Sequence, residues 1–291
     1  MKKVLVISGK GGTGKTTISS TLIDLLDIKA LADCDVDAPN LHLVSSFDDK
    51  SLLKEDQFKG MDIFQINSDL CINCGKCQEN CKFDSIDFVD NKYQINPLAC
   101  EGCGVCEFVC PVNAISPIDN YVGSTQVFKT DKLFSTAKLT MGSGNSGKLV
   151  SQVKKNLDDN IKDEPIAIID GSPGIGCPVI ASLSAIDVAL VVTEPSLSGL
   201  SDLKRIVKTA QVFKTKTAII INKADLNLDV KKLIIKYINE SDLVLLGEIN
   251  YDNNVSKIIN SQNSLAKVNT LASKQIKLIA EKLLSLVHES Q

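Results

Sequence analysis

The sequence predicts an α/β fold: a doubly wound, mostly parallel sheet with helices on both faces, interrupted by a small cysteine-rich insert of α+β character. Three observations predict it. Apolar runs at 4–8, 29–33, 166–170, 188–193, 217–222 and 243–249 are continuous rather than alternating, as expected of strands buried on both faces. Helical patterns at 16–26, 200–213 and 230–239 fall between them and make βαβ units. Of ten cysteines, eight lie between Cys71 and Cys110, where Gly and Pro punctuate the chain and no strong helix or buried strand is predicted.

The insert is read as 61–120, within a host formed by 1–60 and 121–291. It holds nine acidic and three basic residues, a net −6, so the host carries +3 of the overall −3. With 32 Lys and Arg against 35 Asp and Glu, no nucleic-acid-binding surface is expected. No apolar run reaches the ~18 residues of a membrane span. The start, Met1-Lys2-Lys3-Val4-Leu5-Val6, lacks the apolar core of a signal peptide. The expected location is therefore the cytoplasm, where clustered cysteines point to metal ligation before disulfides.

The first strand runs into Gly9-Lys10-Gly11-Gly12-Thr13-Gly14-Lys15-Thr16-Thr17, which fits G-x-x-x-x-G-K-[ST] between a strand and a helix. Such a loop wraps phosphate with successive N–H groups and a positive helix end. Lys15 would reach the β and γ phosphates and the Thr16 hydroxyl would bind Mg²⁺. The run ending at Asp170, followed by Gly171-Ser172-Pro173-Gly174-Ile175-Gly176, suits a Walker B carboxylate on Mg²⁺ and a switch that senses the γ phosphate. A second match, Gly142 to Lys148, has Leu149 where the Mg²⁺ hydroxyl belongs, and is not read as a nucleotide site.

Cys71-x₂-Cys74-x₂-Cys77-x₃-Cys81 and Cys100-x₂-Cys103-x₂-Cys106-x₃-Cys110-Pro111 are two copies of one spacing, 29 residues apart. This is the bacterial ferredoxin pattern for two [4Fe-4S] clusters, in which the fourth cysteine of each run ligates the other cluster. The expected sets are Cys71, Cys74, Cys77 and Cys110, and Cys81, Cys100, Cys103 and Cys106. Zinc, the competing metal, takes four ligands, usually as two separated pairs. Lys82 stands where the second copy has Pro111. Ile72, Phe83, Ile86, Val105 and Ile115 are candidates for a small core around the clusters, without which ~60 residues would barely fold.

Lys10 makes the loop a Gly-Lys-Gly-Gly-x-Gly-Lys-Thr sequence, which resembles the deviant Walker A of the MinD, Mrp and nitrogenase iron protein group. With the insert, the chain resembles MinD-superfamily P-loop ATPases that carry a ferredoxin domain. The resemblance implies that Lys10 reaches a dimer partner's nucleotide, in a homodimer or a heterodimer with a paralogue. Asp33-Cys34-Asp35 is similar to the D-x-D switch I segment: Asp35 would orient the attacking water and both aspartates would lie near Mg²⁺. Asn222-Lys223-Ala224-Asp225 alone would favour guanine, but in MinD-like proteins an Asn here faces adenine, so Asn222 and Asp225 are read as ATP contacts.

Cys34 reads as a small strand-end residue. Cys177 reads as a buried structural thiol, with a ligand to a dimer-bridging cluster, as in the nitrogenase iron protein, as its alternative. Ile276, Ile279, Ala280, Leu283 and Val287 form a helical stripe read as core packing rather than membrane contact. The function expected is an ATPase whose nucleotide-driven dimer switching is coupled to electron transfer through two [4Fe-4S] clusters to a redox or metallocofactor partner. The alternatives are an Mrp-like carrier of metal centres and, last, a MinD-like positioning switch.

Overall fold

The computed structural model describes residues 1–44, 51–161, 163–261 and 263–289, and the chain divides into two compact units. The larger comprises Met1–Asp56, Thr125–Lys138 and Ser146–Gln291. Its sheet is built from β1 (Lys2–Ser8), β2 (Ala30–Asp33), β3 (Leu52–Lys59), β8 (Tyr121–Lys129), β9 (Leu133–Leu139), β10 (Ile166–Pro173), β11 (Val188–Thr193), β12 (Lys216–Asn222) and β13 (Val244–Ile249). The strand order is β13-β12-β11-β1-β10-β2-β9-β8-β3, with parallel pairing from β13 through to β9. The six strands read from the sequence are the parallel ones other than β9. β3, β8 and β9, which extend the sheet beyond β2, were not anticipated, because β3 is exposed along nearly its whole length and β8 mixes buried with half-buried positions.

Helices α1 (Lys15–Leu25), α4 (Ser146–Asn160), α5 (Cys177–Leu183), α6 (Leu197–Val212), α7 (Leu228–Glu240), α8 (Asn254–Asn260) and α9 (Leu271–His288) complete this unit. The starts of α6, α7 and α9 are fixed by Ser196, Asn227 and Thr270, whose side chains accept backbone N–H bonds from the first turn. The stripe of α9 is core: Ile276, Ile279, Ala280, Leu283 and Val287 are each at most 2% exposed and pack with Ile18, Leu22 and Ile23 of α1. Each large side chain so buried contributes roughly 1.5–3 kcal/mol. At Gly247 a Cβ atom would stand 2.6 Å from Ile279, so β13 carries no side chain where α9 crosses it. Among the described residues no helix is long and apolar enough to cross a membrane.

The smaller unit comprises Gln57–Ser124 and Leu139–Asn145. It contains β4 (Ile63–Ile66) paired antiparallel with β7 (Ile115–Ile118), β5 (Ile86–Val89) paired antiparallel with β6 (Lys92–Ile95), and the short helices α2 (Lys76–Asn80) and α3 (Val105–Phe108). Its halves repeat each other at the 29-residue offset. Asn67 N donates to Ala114 O at 2.7 Å, and Asn96 N donates to Ser85 O at 2.7 Å. Cys71 N and Cys100 N donate to Asn67 O and Asn96 O, both at 3.1 Å. Both helices are entered through a left-handed residue, Gly75 (φ 79) and Gly104 (φ 75), a conformation that favours glycine.

Candidate nucleotide and cysteine sites

The phosphate loop lies between β1 and α1, and Gly12 and Gly14 adopt φ of 78 and 89. A Cβ on Gly14 would collide with the Asn222 amide, which donates to Thr13 O at 2.7 Å. Glycine is thus required both by the turn and by the side chain closing over it. Thr13 is buried, and its hydroxyl oxygen has no hydrogen-bond partner among the described residues. An orphaned buried hydroxyl in a glycine-rich loop fits a loop made for an anion.

Parallel register places the ends of β1, β10 and β2 side by side, and the charged residues converge there. Asp170, fully buried, accepts from Lys15 Nζ at 2.8 Å, Thr16 Oγ1 at 2.8 Å and Ser19 Oγ at 2.7 Å. Lys15 Nζ also stands 3.9 Å from Asp35. Burial raises the Asp35 carboxyl above the ordinary range, against the opposing pull of Lys15. Asp33 accepts from the backbone N–H groups of Asp35, Asn40 and Leu41 at 2.9–3.0 Å, so it shapes the turn that follows β2. Burial, then the neighbouring Asp170 charge, pushes its carboxyl up to about 7. Two bonds stitch the ends of β2 and β10 together: Cys34 N to Asp170 O at 2.7 Å and Ser172 Oγ to Cys34 O at 2.5 Å. Cys34 is wholly buried at the strand end, and burial pushes its thiol up to about 12.

Lys10 pairs within its own chain with Glu194, just past β11, at 2.5 Å. Glu194 also holds Lys223 at 3.2 Å, and Lys223 donates to Gly12 O at 3.0 Å. Burial works against the Glu194 charge, yet these two lysines hold its carboxyl below the usual range. A cavity of about 420 Å³ opens beside the loop, lined by Gly12, Gly14, Thr17, Asn222, Tyr251 and Asp252 among others. Asp225, exposed, accepts from Tyr251 N at 2.7 Å and so fastens the cavity's rim.

Ser19, Ser172 and Glu194 were missed from the sequence. A serine inside an otherwise apolar helical period was the one available signal for Ser19; Glu194 carried none. The second glycine-lysine pair, Gly147-Lys148, lies in the first turn of α4. Cys177 is exposed at the start of α5 rather than buried, because α5 begins at the end of the glycine loop and not beneath a layer. A Cβ on Gly147 would stand 3.4 Å from the Cβ of Cys177.

In the smaller unit the eight thiols surround two small cavities. Cys71, Cys74, Cys77 and Cys110 line one, with Ile66, Tyr93 and Ile115. Cys81, Cys100, Cys103 and Cys106 line the other, with Phe64, Ile86 and Ile95. Burial raises the Cys77 thiol and pushes Cys106 up to about 11. Ala114 N donates to Cys110 Sγ at 3.2 Å. Cys81 Sγ lies 3.2 Å from Ser85 Oγ; burial acts upward on this thiol, but that hydroxyl and the N–H groups of Ser85 and Phe83 bring it below its ordinary value. Ile86 and Ile115 are buried as expected, whereas Ile72, Phe83 and Val105 are 61%, 44% and 40% exposed and form rims, since so small a unit has few interior positions. Among the described residues no group of three or more His, Cys, Asp and Glu side chains is arranged to hold a single metal ion.

Residues 4–265 match the profile of the CobQ/CobB/MinD/ParA nucleotide binding domain. The chain is 39% identical over 286 residues to the uncharacterized protein MJ0578 of Methanocaldococcus jannaschii, covering 97% of this chain and 96% of that one. It is 30% identical over 243 residues to the uncharacterized protein MJ0579 of the same organism, covering 77% and 80%. Its fold is similar to the cell division ATPase MinD of Pyrococcus furiosus, with a TM-score of 0.57 at 17% identity over 98% of this chain and 99% of that one. It is also similar to the septum site-determining protein MinD of Pyrococcus horikoshii in complex with Mg-ADP, with a TM-score of 0.57 at 16% identity over 100% and 98%.

Proposed function

Because the chain belongs to the CobQ/CobB/MinD/ParA nucleotide-binding family and is a P-loop ATPase, we propose that it uses ATP to gate electron transfer through an inserted ferredoxin-like domain, residues 61–120. The observation that carries this reading is the grouping of all eight insert cysteines into two sets of four, each around its own cavity, in a chain that also builds a phosphate loop. A quartet of thiols spread around an apolar cavity, rather than gathered on one point, suits a cubane better than zinc. N–H donation to sulfur, as from Ala114 to Cys110, is the support a cluster ligand uses. A [4Fe-4S] cluster at each set would supply one-electron chemistry.

In the nucleotide site, Lys15, Thr16 and Asp170 already touch one another. ATP would draw Lys15 onto its phosphates, leaving the Asp170 carboxylate and the Thr16 hydroxyl to face Mg²⁺. Asp35 would orient the attacking water, and Lys10, released from Glu194, would reach a partner's nucleotide in a dimer. The Ser172 bond to Cys34 gives the two switches a common movement. The exposed position of Cys177 beside switch II favours, as a second reading, a carrier that holds a labile metal centre there.

The test is anaerobic purification with iron and sulfide analysis, followed by redox titration with and without ATP. Bound iron and sulfide, with a midpoint potential that moves on adding ATP, support gating. Clusters whose potentials and electron delivery to every candidate partner ignore ATP exclude it. Clusters that leave for an apo-acceptor during turnover select the carrier.

A further inference from the structure

We propose that the two thiol sets are electronically unequal, and that the buried hydroxyl of Ser85 gives the set of Cys81, Cys100, Cys103 and Cys106 the higher reduction potential. This rests on the cluster reading of the eight cysteines. The internal repeat makes each half a control for the other. Position 114 follows Cys110 as position 85 follows Cys81, and both are 3% exposed. At 114 the backbone N–H donates to the sulfur four residues earlier, at 3.2 Å. At 114 the side chain is a methyl; at 85 it is a hydroxyl whose oxygen lies 3.2 Å from Cys81 Sγ.

A ligating sulfur is a thiolate and has no proton to give, so the Ser85 hydroxyl must be the donor. Burying a hydroxyl with no partner is unfavourable. The place for it is therefore specific: Ser85 directs its O–H at a sulfur, where its twin makes do with the backbone. Donation to sulfur withdraws negative charge from the ligand and favours the reduced, more negative state, which is how hydrogen bonding raises a cluster's potential.

Three other asymmetries are weaker. Asn73, where the other half has Gly102, places its amide oxygen 3.6 Å from Cys71 Sγ, and an acceptor gives a thiolate no hydrogen bond. Lys82, Asp84, Glu79, Glu101 and Glu107 are all exposed, so solvent and salt screen them. Tyr93 in one half corresponds to Phe64 in the other, and its hydroxyl oxygen lies 3.0 Å from where a Cβ on Gly75 would be. Among the described residues it makes no hydrogen bond to a sulfur. An electron from an external one-electron donor would accordingly settle on the Cys81 set. If it entered at the Cys71 set, that set would be reoxidised as the other is reduced.

The experiment is a redox titration, monitored by electron paramagnetic resonance, of the full chain with its clusters loaded anaerobically, in wild type, Ser85→Ala and Ala114→Ser. Wild type should show two midpoints. Ser85→Ala should lower the higher one alone, and Ala114→Ser should raise the lower one alone, at unchanged iron content. Loaded variants with both midpoints unmoved, or with the wrong midpoint moved, overturn the assignment to Ser85 while leaving the cluster reading standing. A chain that binds no iron and sulfide after anaerobic loading overturns the cluster reading and this inference with it.

Discussion

The ammonium of Lys10 lies 2.5 Å from the carboxylate of Glu194, which ties the second residue of the phosphate loop to the end of β11. Their side chains are 36% and 18% exposed, so the pair is partly screened and of modest strength. If Lys10 serves a dimer partner's nucleotide, as proposed, it must first leave this carboxylate. The Glu194→Gln variant should therefore dimerise more tightly in ATP, with a dissociation constant lowered about two- to thirtyfold, since a symmetric dimer releases two such pairs at ~0.2–1 kcal/mol each. Sedimentation velocity across a concentration series reads this, and unchanged or weaker dimerisation would show that Glu194 does not compete for Lys10.

Lys15 supports the nucleotide-free protein as well as its ligand. Asp170 is fully buried and, among the described residues, Lys15 is the cation that touches it, so Lys15→Ala leaves that carboxylate with the Thr16 and Ser19 hydroxyls. Breaking such a buried pair costs about 3–5 kcal/mol. Denaturant unfolding without nucleotide should show that loss in Lys15→Ala and its partial recovery in Lys15→Ala with Asp170→Asn. ATP binding should be lost in both. A nucleotide-free Lys15→Ala as stable as wild type would mean that the pair matters only for the ligand.

Lys154 gives a pH signature. It lies nearly buried on α4 and donates to the carbonyls of Ala181, Ser182 and Ser184 at the end of α5. Burial nonetheless lowers its pKa to about 8 from the ordinary 10.5. Between those values the unfolded chain binds the proton and the folded chain does not, so stability rises with pH across that window. Unfolding free energies of wild type minus Lys154→Met should therefore increase from pH 8 to 10.5. A flat difference would show that the three carbonyls fully offset the desolvation of the ammonium.

Most of the parallel core was legible because β1, β2, β10, β11 and β12 are buried along nearly all their length and read as apolar runs; β13, only partly buried, was read from its leucines, and β9, buried but carrying Ser135, Thr136 and Lys138, was not. β3 was not, since the sequence from Leu52 to Lys59 is mostly exposed and gains its strand conformation from backbone pairing at the sheet edge. At the site, fixed spacing against strand ends pointed to Lys15, Thr16 and Asp170, and resemblance pointed to Asp35; the structure brings these side chains together. Glu194, Ser19 and Ser172 act through contacts between residues more than 130 apart, and two of them through hydroxyls that any helix or turn tolerates. No local pattern marks them. The exposure of Cys177 was misread for a related reason: burial of a lone thiol depends on what packs above it, which spacing does not encode.

The arrangement of thiols also makes a claim about which cysteines act together. By sequence Cys81 follows Cys77 directly, yet Cys81 lines the cavity of Cys100, Cys103 and Cys106, and Cys110 lines that of Cys71, Cys74 and Cys77. The crossing follows from the repeat: each short helix carries the third cysteine of its run, and the chain leaving it turns away, placing the fourth against the other half. Replacing a ligand should cost one cluster, about half of the bound iron if each set holds four irons. Cys77→Ala and Cys110→Ala should then silence the same paramagnetic signal, and Cys81→Ala and Cys106→Ala the other. ATP binding, made by residues of the larger unit, should persist in all four. If Cys81→Ala instead silences the signal lost in Cys77→Ala, the quartets are consecutive in sequence, and the crossed ligation read from the cavities is wrong.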